Sequence, residues 1–157
     1  MSTTPDHNEP SWPLTLDHQV CFALHSTSLM MTKAYKPLLQ KIDLTFPQYL
    51  VMMVLWEEEG LTVGMLSKRL LTDPGSLTPL LKRLEAEKFI TRQRSKQDER
   101  VVELRLTEQG RQLKEQARDL PNCIVKASGM PHDALRKMRD ELITLRTNLQ
   151  KARIAFD

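Results

Sequence analysis

The chain has 157 residues and a mass of 18.2 kDa, enough for one compact domain that buries roughly 70% of its unfolded surface. Charged residues make up 27% and hydrophobic residues 40%, as in soluble globular proteins. The longest apolar run, Tyr49 to Trp56, is far short of the ~20 residues that span a bilayer, and MSTTPDHNEP lacks the basic-then-apolar pattern of a secretory signal. These features argue against a membrane protein, a secreted disulfide scaffold or a disordered tail, and favour the cytoplasm. Net charge is only +3, but the segment Lys82–Arg105 carries all of it, with eight basic residues against five acids. Such a local excess suits a phosphate backbone or a solvated charged face.

Residues 1–13 hold Pro5, Pro10 and Pro13 among small polar residues and read as a flexible tail. From Leu14 to about Lys36 apolar residues recur at helical spacing (Val20, Leu24, Met31), and Pro37 is expected to end or kink that helix. Pro47 opens a second helix, apolar around most of its surface and so expected in the core, which Gly60 stops. Thr62 caps a short helix, Val63–Leu71, and Asp73-Pro74 marks the next start, an N-cap carboxylate followed by proline, for a helix running to about Lys88. Two strands, Phe89–Arg94 and Val101–Leu106, flank the polar loop Ser95–Arg100, with Val102, Leu104 and Leu106 facing one way. Thr107 caps a long helix to about Cys123, interrupted near Pro121, and a last helix carries the seam Leu135, Met138, Leu142, Leu145 and Leu149.

Helix–turn–helix followed at once by a hairpin is a winged helix, so the fold class is mainly α with a small β-hairpin. The long outer helices have apolar seams without an obvious intrachain partner at both ends, the pattern of a dimerisation bundle. The expected organisation is a single unit over 14–157, with dimerisation helices at 14–45 and 110–157 around a winged helix–turn–helix at 46–109.

On the helix from Pro74, steps of 100° put Leu77, Leu80, Leu81 and Leu84 in one core stripe. The opposite arc carries Gly75, Ser76, Thr78, Pro79, Lys82, Arg83 and Ala86. Small and hydroxyl residues near its N-terminal end, with cations one turn later, suit a helix whose start enters the major groove of double-stranded DNA. Pro79 is either a mild kink or an apolar contact for a base methyl. The loop offers Lys96 and Arg100 to the minor groove or backbone, with Asp98 placed to hold Arg100.

Cys21 and Cys123 lie 102 positions apart, without metal-ligand spacing around either, and no cofactor is implied. A helical cysteine is ordinarily a small inert hydrophobe. Reactivity requires exposure and nearby donors or positive charge. His25, one turn beyond Cys21, is either such a neighbour or an exposed helical histidine. Phe22, Phe46, Trp56, Met30, Met31, Met52 and Met53 are read chiefly as core, with an apolar pocket as the alternative.

Asp98-Glu99-Arg100, then Leu106-Thr107 and Gly110, resembles the wing signature of MarR-type repressors. The blocks QVCFALHSTSLMMTKAYKPLL (19–39), TFPQYLVMMVLWE (45–57) and GSLTPLLKRLE (75–85) resemble the organic-hydroperoxide-sensing, OhrR-type branch, and the likeness covers about residues 14–150. The resemblance implies a homodimeric repressor on a pseudo-palindromic operator, with Cys21 matching the reactive cysteine and Cys123 the resolving cysteine of the two-cysteine subgroup. Tyr35 matches a family tyrosine that donates a hydrogen bond to the cysteine sulfur. His25 and Phe46 depart from the pattern, since both positions often carry tyrosine. Tyr35 lies fourteen residues beyond Cys21, about 21 Å of helical rise, so any Cys21 it reaches belongs to the partner subunit.

The implied chemistry is oxidation of Cys21 by organic hydroperoxide to sulfenic acid, then a cross-subunit disulfide with Cys123 that moves the wings off the operator. The competing reading is a MarR-type repressor released by a phenolic or other small ligand, its cysteines incidental. An activator or architectural DNA binder would show no oxidant response. A thiol peroxidase using Cys21 is disfavoured, because no Arg/Thr constellation surrounds the cysteine and the helix–turn–helix would have no task. The chain is therefore expected not to be an enzyme.

Overall fold

The computed structural model describes residues 11–156, without the side chains of 153–156. Among the described residues a 3₁₀ turn, Leu16–His18, and an extended Gln19 precede helix α1, Val20–Gln40. The helix thus begins later than the expected Leu14. Residues 1–10 of the expected tail, with Pro5 and Pro10, lie outside the described residues. Trp12 and Pro13 are tied to the start of α1: Trp12 Nε1 donates to the His18 carbonyl and Gln19 Nε2 to the Pro13 carbonyl, each at 2.6 Å.

Pro37 does not end α1, which runs on to Gln40. A helical proline removes one N–H, here from the Lys33 carbonyl, and Lys33 is exposed to water that can replace it. Leu39, only 1% exposed, anchors the last turn in the core, and burial outweighs the local break.

Helix α2, Phe46–Glu57, begins with a capping box. The Thr45 hydroxyl accepts the Gln48 N–H at 3.4 Å, and the Gln48 side chain accepts the Thr45 N–H at 2.9 Å. Two otherwise orphaned donors are satisfied reciprocally. As expected, α2 is central, burying Tyr49, Val51, Met52, Val54 and Leu55. Helix α3, Val63–Leu70, is capped by Thr62 and ends at Leu71 in the left-handed region (φ 54°), unusual for a branched residue.

Helix α4, Pro74–Ala86, starts at the Asp73 cap and continues through Pro79. Leu77, Leu81 and Leu84 are buried and Leu80 packs against the same core. Strands β1, Ile90–Arg94, and β2, Val102–Leu106, pair antiparallel with Ile90 opposite Leu106 and Arg94 opposite Val102. Helices α5, Glu108–Ala117, and α6, Leu120–Ser128, replace the single long helix. The break falls at Arg118–Asp119, and Pro121 takes an early position of α6 where its missing N–H is not needed. Cys123 consequently sits in α6, near its start, and does not end the helix that follows the wing.

The arrangement is a winged helix–turn–helix, mainly α, with its core among α2, α3, α4 and the hairpin. Helix α1 packs against α2 and α6. Helix α7, His132–Phe156, lies beside α1 across an open apolar groove of about 680 Å³, lined by Leu24 and Met31 from α1 and Leu135, Met138, Leu142 and Leu149 from α7. Met30 and Met31 are exposed, so they do not join Met52 in the core of this chain.

Candidate nucleic-acid interface and thiol site

Asp73 shapes the start of α4. Its carboxylate accepts the Ser76 hydroxyl at 2.6 Å and the Ser76 N–H at 3.0 Å, which holds it below the usual carboxylate range. The Ser76 hydroxyl is therefore oriented by the cap while remaining on the exposed side. One turn on, the Thr78 hydroxyl donates to the Pro74 carbonyl at 3.2 Å. Pro79, Lys82 and Arg83 are exposed on the same side of α4, opposite the leucine stripe.

Charge pairing sorts the basic segment. Arg92 is held by Glu85 at 3.0 Å and Arg105 by Glu103 at 2.7 Å. None of the ion pairs among the described residues involves Lys82, Arg83 or Lys96. Those three exposed cations are the ones whose charge is free to meet phosphate.

The wing loop is closed by its own bonds. Asp98 Oδ1 accepts both the Arg100 N–H and Nε, each at 3.1 Å, and Oδ2 accepts from the same guanidinium at 3.3 Å. The Arg100 guanidinium, then its backbone N–H, hold the Asp98 carboxyl below its ordinary value. Arg94 reaches across the loop to the Glu99 carbonyl at 2.8 Å. Buried Ser95 accepts the Gln97 N–H at 3.2 Å. Arg105, with a lesser contribution from Ser95, holds Glu103 low.

A depressed carboxyl stabilises the fold fully above its unfolded value, ~3.9 for aspartate, and stops doing so as pH falls through the lower folded value. The loop is thus expected to stay ordered throughout the neutral range and loosen only in stronger acid. An NMR titration of the Arg100 Nε–H should show this. An Asp98→Asn variant with the same profile would sink the assignment to Asp98.

Both cysteines are free and exposed. Cys21 is the second residue of α1, where unpaired N–H groups concentrate partial positive charge. His25 is exposed one turn along the same helix. Because α1 is unbroken from Val20 to Gln40, Tyr35 is carried well away from Cys21 of its own chain. Instead it packs on Phe46 and Tyr49, with ring centroids 5.1 and 5.7 Å away. Burial pushes the Tyr35 and Tyr49 phenols up, so both remain neutral and able to donate.

Several connections have no local signal in the sequence. Glu59 accepts the Leu106 N–H at 2.8 Å and the Arg111 guanidinium at 3.1 Å, joining the segment after α2 to β2 and α5. Trp56 Nε1 donates to the Gly110 carbonyl at 2.9 Å. These partners lie about fifty residues apart in the chain, beyond the reach of any periodicity. Among the described residues no helix is long and apolar enough to cross a membrane.

Comparison with known proteins agrees with this geometry. Residues 33–117 match the family model described as transcriptional regulator SarA/Rot. The chain is 46% identical over 138 residues to the organic hydroperoxide resistance transcriptional regulator of Bacillus subtilis (strain 168), covering 88% of this chain and 94% of that protein. It superimposes on reduced AbfR bound to DNA with a TM-score of 0.70 and 31% identity, covering 85% of this chain and 94% of that one. For disulfide-formed AbfR the TM-score is 0.61 at 30% identity, covering 87% and 92%. AbfR is a protein of Staphylococcus epidermidis. Family match, relative and fold agree: the chain belongs to the SarA/Rot/MarR-like winged-helix transcriptional regulators.

Proposed function

We propose that the protein is a thiol-switched repressor: the reduced homodimer holds a pseudo-palindromic operator and releases it when organic hydroperoxide oxidises Cys21. The observation that carries this reading is a free, exposed Cys21 at the start of α1, beside an apolar α1/α7 groove suited to a second copy of the chain. It is supported by the printed role of the Bacillus relative and by the existence of both DNA-bound reduced and disulfide-formed AbfR.

The Cys21 thiolate attacks the peroxide, the O–O bond breaks and one oxygen stays on sulfur. The sulfur is oxidised by two electrons and the peroxide leaves as the alcohol. The thiol of Cys123 of the partner subunit then displaces water from the sulfenic acid, forming the disulfide. The bond requires Cα atoms within about 7 Å, so the helices bearing the cysteines must approach and the half-site spacing of the wings changes. Tyr35, a neutral donor half-buried against Phe46, is placed to serve the partner's Cys21. The signal is chemical and transient, and cellular thiols reset the switch in a cytoplasmic setting.

On DNA, α4 enters the major groove with Ser76, Thr78 and Pro79 leading. Lys82, Arg83 and Lys96 meet phosphate, and the Asp98–Arg100 clamp sets the wing. Lys82→Ala and Lys96→Ala are each expected to weaken binding on all duplexes alike and to reduce the salt slope by about 1. A slope equal to that of the unaltered protein would remove that residue from the phosphate contacts.

The direct test is non-reducing electrophoresis during titration with cumene hydroperoxide, with duplex binding measured on the same samples. A disulfide dimer appearing as binding disappears, both reversed by dithiol, is the expected result. Binding indifferent to the oxidant would overturn the redox reading and leave a winged-helix regulator released by another signal.

A further inference from the structure

Helix α2 touches the two ends of the switch. At its start, Phe46 and Tyr49 pack on Tyr35. Tyr49 is 2% exposed and passes the contact along the helix to Trp56, whose ring centroid is 6.3 Å away in an edge-on arrangement. At the far end the Trp56 indole donates to the Gly110 carbonyl at 2.9 Å.

Gly110 is the root of the wing. Its N–H bonds the Thr107 hydroxyl at 2.9 Å, and that hydroxyl donates to the Lys88 carbonyl at 2.6 Å, just ahead of β1. A Cβ at Gly110 would lie 2.1 Å from the Phe89 carbonyl oxygen, so α5 and the start of β1 have no slack between them. Beyond Trp56, Glu59 holds the Leu106 N–H, and Leu61 bridges to Leu104. The capping box stiffens the other end of the helix. A rod of twelve residues, about 18 Å long, is therefore fixed to the Tyr35 ring at one end and to the hairpin base at the other.

We propose that Trp56 is a positioning residue for the wing: α2 acts as a lever that carries a displacement of Tyr35 through Tyr49 and the Trp56–Gly110 hydrogen bond to the hairpin. This rests on the reading above only in giving Tyr35 the sensor end. The mechanical link itself is a property of the reduced chain. Phe46, which lacks a hydroxyl, serves the lever by ring contact alone.

The test is a double-mutant cycle on affinity for a duplex selected by the reduced protein from a random library. Tyr35→Leu removes the ring at one end, and Trp56→Phe keeps an aromatic ring but removes the donor at the other. The two side chains meet only through Tyr49, and sites so separated ordinarily have additive effects. Each single change is expected to weaken binding by about three- to tenfold, the scale of one lost hydrogen bond or contact. The double variant should lose little more than the worse single one. Thermal midpoints measured alongside separate the effect from general destabilisation, which would lower the midpoints additively without coupling the affinities.

Fully additive affinity losses overturn the lever. The same samples are challenged with cumene hydroperoxide. Coupled variants in a protein indifferent to the oxidant would keep the lever and remove the redox reading. Additive variants in a protein that releases DNA would do the reverse.

Discussion

Cys21→Ser is expected to abolish hydroperoxide-induced release completely while leaving duplex affinity of the reduced protein within about twofold, the usual effect of an exposed substitution. Serine keeps the size of the side chain, and Cys21 is exposed and packs no core, so folding has no reason to change. What disappears is a sulfur able to accept oxygen, since a hydroxyl is not oxidised by a hydroperoxide. Cys123→Ser should behave differently. Cys21 still forms its sulfenic acid, but the disulfide dimer is absent from non-reducing gels and the sulfur proceeds to sulfinic acid at higher oxidant. Release that persists in Cys21→Ser would refute the thiol switch, and full reversibility in Cys123→Ser would remove Cys123 from it. Moving a regulator from mostly bound to mostly free takes about 5.5 kcal/mol of bias, which a covalent bond can supply.

Gly110→Ala is expected to have the largest effect on stability of any single methyl addition in the chain. The new Cβ would meet the Phe89 carbonyl oxygen at 2.1 Å and its carbon at 3.1 Å. Both belong to backbone, so no side chain can swing aside. Helix α5 must move away from β1, loosening the Trp56 and Thr107 hydrogen bonds that end there. Overpacking of this kind destabilises by about 3 kcal/mol, roughly a 10 °C fall in thermal midpoint for a chain of this size. Duplex binding should fall with it even below that temperature, because the wing root is displaced. A midpoint within about 2 °C of the original would show that the contact relaxes freely. Gly64, with only the Thr62 hydroxyl oxygen 3.8 Å from its Cβ position, is the internal control and should tolerate alanine.

Most of the fold was legible because its signals are local. Asp73-Pro74, Thr62 and Thr107 cap helices where the chain places them, and the leucine stripe of α4 faces inward as its 3.6-residue period requires. The alternation of Val102, Leu104 and Leu106 marked β2 and its inner face. Local signals also misled. Pro37 reads as a stop, yet α1 passes through it because Leu39 is drawn into the core. The apolar residues Met30 and Met31 read as core, yet in this chain they face outward, an arrangement only a partner surface would use.

Residue types and their spacing thus determined the order of elements, the winged helix and the candidate DNA-reading and thiol residues. Helix capping, hydrophobic period and turn chemistry act over three or four residues and are written in the chain. Tertiary structure alone decided which cations are neutralised, since Arg92 finds Glu85 and Arg105 finds Glu103 while Lys82, Arg83 and Lys96 have no carboxylate partner among the described residues. It also decided that Tyr35 meets Tyr49, that Trp56 reaches Gly110, and that Gly110 has no room for a methyl group. Those relations join residues far apart in sequence, and they exist only once burial has brought the helices together.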